Sequence, residues 1–222
     1  QNIYYLFWMK KFIKNLIISL LGNKLFSFLS VIYRYKFKPN YWISFLHLSK
    51  LKYDLIHNES LLNKLNLDKK KIKSILINCK LDYYATHQSW HYHIFAGLSN
   101  NNPINILEIG TYKGEFTNYL SKIFPNSKIT TIDLPDDDPQ FINSYNRTDK
   151  NTHERFTNLR KKNLDRKNII FLQFNSSFLS KKFNSETFDI IWIDGDHLDP
   201  QVSEDINQSF NLCKKGGIIC VD

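Results

Sequence analysis

Short, continuously apolar runs alternate with amphipathic stretches through the second half of the sequence, and this alternation constrains the fold more than any other feature. Strands are predicted at residues 104–109, 128–134, 168–174, 188–193 and 218–222, with helices between them at 113–124, 152–162 and 199–215. The runs FDIIWI and GGIICV lack polar alternation, as expected for strands that are buried on both faces. Residues 101–222 are therefore predicted to form a mostly parallel α/β sheet with flanking helices.

The helix between the fourth and fifth strands has clear predicted ends. Asp199 is predicted to be its N-cap, because a side-chain oxygen there satisfies free backbone N–H groups, and Pro200 suits the first turn. Basic residues and glycines at 214–217 would close the helix, so the fifth strand is predicted to begin at Ile218. The predicted buried face consists of apolar residues on one side of the helix, Val202, Ile206 and Phe210.

Residues 1–100 are predicted to form a helical N-terminal segment, and the polar sequence SNNNP at 99–103 marks the boundary with the sheet. An apolar helical face flanked by lysines runs through residues 8–33. Packing on the domain or on a second subunit is favoured for this amphipathic segment. Contact with an anionic membrane surface and a role as a lid over a substrate remain open.

The net charge of +9 belongs to the first half, because residues 1–100 carry +11 and residues 101–222 carry −2. The basic residues are mostly lysines scattered among Ile, Asn, Phe and Tyr, a composition that codon bias alone can produce, so nucleic acid is disfavoured as a partner. The three cysteines show no paired pattern, so a reducing compartment is favoured over a disulfide framework. A cytoplasmic location is predicted, with peripheral contact on the inner membrane surface as an extension of it.

A cluster of aromatic residues and histidines precedes the predicted sheet in the sequence DYYATHQSWHYHIF. His87 and His91 have the i, i+4 spacing of helical metal ligands, but no acidic or cysteine partner has a diagnostic spacing, so this interpretation is disfavoured. A substrate-facing aromatic helix and plain packing against the sheet both remain open. In the first case, Trp90, His91 and His93 would contact substrate.

Ligands of an open parallel sheet bind at the carboxyl ends of its strands. The first strand ends in Glu108, followed by a turn in which Gly110 allows a sharp bend and Gly114 allows close packing or close ligand approach. Tyr112 occupies the second glycine position of the dinucleotide fingerprint G-x-G-x-x-G, which argues against NAD. Asp133 ends the second strand, where a carboxylate can accept hydrogen bonds from ribose hydroxyls.

The ends of the last three strands carry small polar or ionisable residues. Residues 175–177, NSS, suit contact with a base edge, although a simple loop is the alternative. Asp194 and Asp222 end neighbouring strands and could together hold Mg²⁺, which prefers oxygen ligands. His197 lies within reach of a metal-bound hydroxyl as a general base. The alternative is that Asp196 or His197 only caps the next helix.

Five motifs in this order resemble the class I S-adenosylmethionine-dependent methyltransferases, and are most similar to the catechol and caffeoyl-CoA O-methyltransferases. They are EIGTYKG at 108–114, TTIDLP at 130–135, NSS at 175–177, IWIDGDH at 191–197 and GGIICVD at 216–222. The resemblance implies a Rossmann-like domain over 101–222. Two further strands of those families are missing from the sequence, so the domain is expected to be truncated.

The resemblance also implies roles for individual residues. Glu108, Gly110 and Tyr112 would surround the methionine part of the cofactor, Asp133 would bind its ribose, and Ser176 would contact its adenine. Asp194 and Asp222 match two ligands of the divalent cation in the metal-dependent members, whose third ligand would be residue 223. His197 stands where those families commonly have a catalytic lysine, and imidazole keeps the capacity to accept a proton at neutral pH.

The sequence therefore predicts S-adenosylmethionine-dependent methylation of a hydroxyl on a small molecule or glycan, assisted by Mg²⁺ or another divalent cation. His197 and Asp194 are the predicted catalytic residues, and Asp194 and Gly114 are also predicted to contact the cofactor. One alternative is a cofactor-binding or membrane-associated module without catalysis. The other is a nucleotide-dependent oxidoreductase, which Tyr112 disfavours.

Overall fold

The computed structural model describes residues 59–81, 90–99, 102–144 and 147–222. Backbone contacts divide the chain into two compact units, Gln1–Glu59 and Ser60–Asp222, and the described residues from Ser60 onward belong to the second. The predicted amphipathic face at 8–33 and His87 lie outside the described residues. Among the residues that are described, no helix is long and apolar enough to cross a membrane.

Five strands form a single sheet. Their bounds are Asn105–Ile109 (β1), Lys128–Asp133 (β2), Ile169–Gln173 (β3), Phe188–Ile193 (β4) and Cys213–Val221 (β5). The strand order is β3-β2-β1-β4-β5, and all four neighbouring pairs are parallel. This topology confirms the predicted α/β sheet, in which chain reversals between consecutive strands are made by helices.

Seven α-helices have both ends within the described residues. They are Lys69–Asn78 (α1), His91–Leu98 (α2), Glu115–Ile123 (α3), Pro139–Asn143 (α4), Lys150–Leu164 (α5), Leu179–Lys182 (α6) and Gln201–Leu212 (α7). Aspartate side chains cap three of these helices. They accept hydrogen bonds from backbone N–H groups that are otherwise unpaired in the first turn of a helix. These caps are Asp68 before α1, Asp138 before α4 and Asp149 before α5.

The two faces of the sheet have separate apolar cores. Alternate residues of β1 point to opposite faces, so Ile106 belongs to the core beneath α2 and α3, while Leu107 belongs to the core beneath α6 and α7. The first core also contains Leu76 of α1 and Phe95 of α2. Both helices precede the predicted boundary near residue 100 and lie in the same compact unit as the sheet.

The region from α7 to β5 differs from the prediction in three ways. Asp199 accepts a hydrogen bond from the Ser203 hydroxyl and does not cap α7, whose N-cap position is Pro200. Phe210 is 69% exposed and therefore does not belong to the buried face. Residues 214–217 lie within β5, which begins at Cys213 because Cys213 pairs with Phe188. Pairing with β4 thus overrides the helix-ending tendency of the lysines and glycines.

Candidate functional site

Gly110 brings the ends of β1 and β4 together at the carboxyl edge of the sheet. Its φ is +99°, and a Cβ atom there would lie 2.0 Å from the carbonyl oxygen of Asp194, so only glycine fits. The Gly110 N–H donates to the carbonyl oxygen of Ile132 at 2.9 Å, which ties the same turn to β2. The predicted site residues of three strands therefore meet at one edge.

Asp133 is fixed at this edge by two backbone hydrogen bonds. The Tyr112 N–H donates to Oδ2 at 2.9 Å and the Leu134 N–H donates to Oδ1 at 2.8 Å. Burial raises the pKa of Asp133, while the two N–H bonds and the cations Arg160 and Arg147 oppose that rise. Each carboxylate oxygen keeps a further lone pair, so Asp133 can still accept bonds from a ligand.

Glu108 is 1% exposed and lies beneath the same edge. Its Oε2 accepts hydrogen bonds from the hydroxyl groups of Thr117 and Thr131. Burial raises the pKa of Glu108 to about 8, with smaller contributions from the charges of Asp194 and Asp133, so the carboxyl is mostly protonated at neutral pH. A cation bound nearby would favour its ionised form.

A cavity of about 490 Å³ opens between this edge and helices α2 and α3. Its lining combines three carboxyl groups with the rings of several aromatic residues, and Lys122 is the one lysine or arginine among the described lining residues. Carboxylates and aromatic faces both attract cations. The principal lining residues are Glu108, Gly110, Tyr112, Glu115, Asp194, His91, Tyr92, Phe116 and Tyr119. The cavity therefore suits a positively charged ligand.

Asp194, His197 and Asp222 lie together where β4 and β5 end. One ligand atom from each lies within 4.8 Å of the others, and His197 Nε2 is 3.9 Å from Asp194 Oδ1. The Asp222 N–H donates to the Ile193 carbonyl oxygen at 3.0 Å, which places Asp222 beside Asp194. Burial and the charge of Asp222 raise the pKa of Asp194 to about 6. Two carboxylates and an imidazole at this spacing could hold a divalent cation.

Ser176 follows β3 and is held by the neighbouring helix α7. Its hydroxyl oxygen accepts a bond from Gln201 Nε2 at 3.0 Å, and its carbonyl oxygen accepts one from Gln208 Nε2 at 3.1 Å. Gln201 Nε2 also donates to Oδ1 of the buried Asp205 at 3.0 Å. Sequence analysis missed this network, although polar residues four apart on a helix that packs on a sheet were a signal for it.

Three further predicted residues, Gly114, His93 and His91, differ in whether they line the cavity. Gly114 begins α3 at a φ of +70°, and a Cβ atom there would lie 2.9 Å from Leu164 Cδ2, so Gly114 serves helix packing. His93 is buried against Trp90, at 4.1 Å between ring centroids. His91 does line the cavity, where burial lowers its pKa to about 4 and keeps the imidazole neutral at pH 7.

Comparison with known proteins identifies the family. A family profile described as "Methyltransferase domain" matches residues 107–222, more than half of the chain. A candidate caffeoyl-CoA O-methyltransferase from Staphylococcus aureus shares 19% identity over 78% of this chain and 72% of its own, with a TM-score of 0.46. The SAH-bound Podospora anserina methyltransferase PaMTH1 shares 17% identity over 76% of this chain and 69% of its own, with a TM-score of 0.40. No curated protein sequence matches the chain.

The two solved structures are likenesses of fold alone, and the family assignment depends on the profile, with which the parallel strand order agrees. The chain therefore belongs to the methyltransferase family and is a class I S-adenosylmethionine-dependent methyltransferase.

Proposed function

We propose that this methyltransferase transfers a methyl group to a hydroxyl of a small molecule or glycan, with a divalent cation held by Asp194 and Asp222. The observation that supports the proposal is the cluster of Asp194, His197 and Asp222 at the carboxyl edge of the sheet. This cluster adjoins the cavity lined by carboxyl groups and aromatic rings, because Asp194 belongs to both. Methyl donor and acceptor oxygen could therefore meet at Asp194.

The cofactor has two positive charges, on the ammonium group and on the sulfonium, which the carboxyl groups of the cavity would balance. Under the proposal, Glu108 and the turn at Gly110 and Tyr112 surround the methionine part. Asp133 accepts hydrogen bonds from the ribose hydroxyls, and Ser176 lies against the adenine.

In the reaction, a bond forms between the acceptor oxygen and the methyl carbon while the carbon–sulfur bond breaks, which releases S-adenosylhomocysteine. A neutral hydroxyl is a weak nucleophile, and a divalent cation, when bound, lowers its pKa as a Lewis acid. Asp194 and Asp222 orient the acceptor at the edge of the sheet. His197 accepts the hydroxyl proton, because its imidazole is exposed beside Asp194, with Nε2 3.9 Å from Oδ1.

Titration calorimetry with S-adenosylmethionine and with NAD tests the cofactor assignment. We expect heat of binding with S-adenosylmethionine and none with NAD, because the carboxyl-rich cavity repels a pyrophosphate. Binding of NAD alone would contradict the proposal.

Turnover by the full-length protein with hydroxyl-bearing acceptors, with and without Mg²⁺ or Mn²⁺, tests metal assistance. Asp194→Ala should reduce divalent-dependent turnover by about 100-fold or more. Asp196→Asn is the matched control, because Asp196 is an exposed carboxylate two residues away that accepts a bond from the Leu198 N–H. Equal loss in both variants, or unchanged turnover in Asp194→Ala, would refute metal binding at this cluster.

The proposal extends to a cytoplasmic location, which is supported by the free state of Cys79, Cys213 and Cys220. Contact with an anionic membrane surface or a homodimer contact is proposed for residues 8–33, on the basis of their lysine-flanked apolar pattern. Sedimentation with anionic and neutral vesicles tests the membrane contact, and light scattering tests the homodimer.

A further inference from the structure

Two buried arginines, Arg147 and Arg160, lie near the loop that follows β2 and Asp133. The proposed chemistry does not use this part of the fold. Arg147 is 5% exposed and Arg160 is 3% exposed. The guanidinium of Arg147 lies 3.7 Å from the ring centroid of Phe141 and 4.5 Å from that of Phe156. Arg160 lies 4.7 Å from the ring centroid of Phe171 and also faces both of the other rings. The two cations are therefore embedded among aromatic faces, which attract them.

The cluster of Arg147, Arg160 and the rings of Phe141, Phe156 and Phe171 directly contacts the loop after β2 and the turn after β1. Arg160 forms an ion pair with Asp136, three residues after Asp133, and Gln173 Nε2 donates to Asp136 Oδ1 at 2.8 Å. Gln173 is also the partner of Asp133 in the register of β2 and β3. On the other side, the ring of Phe156 meets the ring of Tyr112 edge to face at 5.2 Å. The loop after β2 and the turn after β1 therefore both contact the same cluster.

The charges around Asp133 show what the cluster contributes. Burial favours the protonated carboxyl of Asp133 and raises its pKa. The N–H groups of Leu134 and Tyr112 oppose that rise most, and the charges of Arg160 and then Arg147 add to their effect. Glu108 is the acidic group coupled to Asp133 from β1. From β3, the facing partner is the neutral Gln173. Asp136 offsets part of the charge of Arg160.

We propose that Arg160 is a positioning residue for the cofactor: it fixes the loop after β2 through Asp136 and preserves the negative charge of Asp133 that the ribose hydroxyls need. The inference rests on the proposed role of Asp133 in binding ribose. Arg160 acts through Asp133 and makes no contact of its own with the cofactor. Its ring contacts and its ion pair hold the guanidinium in place without solvent, so its field on Asp133 is only weakly screened.

Binding of S-adenosylhomocysteine and of its 2′,3′-dideoxy analogue, measured by calorimetry at pH 6 and pH 8, tests this inference. Arg160→Gln should weaken binding of S-adenosylhomocysteine about 10-fold. The weakening should be larger at pH 6 than at pH 8, because loss of the cation raises the pKa of Asp133 further. Binding of the dideoxy analogue, which lacks the hydroxyls that Asp133 would bind, should change less than about 3-fold. Arg160→Lys, which keeps the charge, should recover part of the affinity at pH 6.

Arg155→Gln is the matched control, because Arg155 is an exposed arginine on the same helix α5 and the substitution removes the same charge. We expect it to leave both affinities within about 2-fold. Equal weakening of both ligands by Arg160→Gln would show that Arg160 only supports the fold, and would overturn the inference.

Asp133→Asn separates this inference from the proposed function. If Asp133→Asn weakens S-adenosylhomocysteine but Arg160→Gln does not, the ribose role stands and the role of Arg160 falls; if Asp133→Asn has no effect, the ribose role itself is wrong. Should Arg160→Gln fail to fold, Asp136→Asn provides a second test. It keeps the guanidinium and removes the charge that offsets it, so the loss of affinity on acidification should move to lower pH. An unmoved profile would overturn the inference.

Discussion

The buried carboxyl of Glu108 should make the stability of the cofactor-free protein strongly dependent on pH. Its pKa is raised from 4.5 to about 8 in the folded state, so the folded protein binds more protons than the unfolded chain between these two values. The stabilising effect of the neutral carboxyl is fully present below pH 4.5 and is lost as pH rises to and through 8. At about 1.4 kcal/mol per pKa unit, the loss amounts to roughly 3–5 kcal/mol.

Glu108→Gln removes this titration while keeping a similar shape and an oxygen that can accept the bonds from Thr117 and Thr131. Urea unfolding of both proteins at intervals from pH 5 to pH 9 gives the difference between their unfolding free energies. The contributions of all other titrating groups cancel in this difference, because both proteins share them. As pH rises from 5 to 9, the unfolding free energy of the variant should increase by several kcal/mol relative to that of the natural protein. Conversely, its affinity for S-adenosylmethionine should fall, because the amide cannot ionise in response to the cationic ligand.

Glu115→Gln is the control, because Glu115 is exposed in the first turn of α3 and lines the same cavity. Its unfolding free energy should follow that of the natural protein within about 0.5 kcal/mol at each pH. A difference between Glu108→Gln and the natural protein that stays constant within about 1 kcal/mol from pH 5 to pH 9 would refute the argument from burial.

Two further predictions concern backbone and packing. Gly110→Ala should destabilise the protein by about 3 kcal/mol or more and abolish cofactor binding, because its Cβ would overlap the Asp194 carbonyl oxygen. Gly216→Ala should cost only about 1 kcal/mol, since its φ is also positive but no atom lies within 4 Å; equal melting shifts would contradict this. Leu212→Ala should cost about 2–5 kcal/mol because Leu212 is buried, whereas Phe210→Ala should cost less than about 0.5 kcal/mol because Phe210 is exposed. Urea unfolding measures both, and equal costs would show that Phe210 is covered in solution.

Local sequence patterns were sufficient to predict the sheet and the edge at which the site lies. A strand that is buried on both faces is largely apolar, so β1 and β4 were visible as the short apolar-rich runs NILEI and FDIIWI. Gly110 marked the turn that follows β1, and Asp133 and Asp194 marked strand ends. These residues lie at one edge because parallel strands present their carboxyl ends together.

The tertiary structure decided what depends on neighbours that are distant in the sequence. Cys213 belongs to a strand because Phe188 pairs with it, and Phe210 is exposed because α7 presents another face to the sheet. The protonation of Glu108 follows from its burial among groups of β2 and α3. Likewise, Arg160 belongs to the site only because folding brings α5 against β3 and places its guanidinium next to Asp136. Burial and electrostatic fields are sums over the whole fold, whereas strand periodicity and turn geometry are properties of a few consecutive residues.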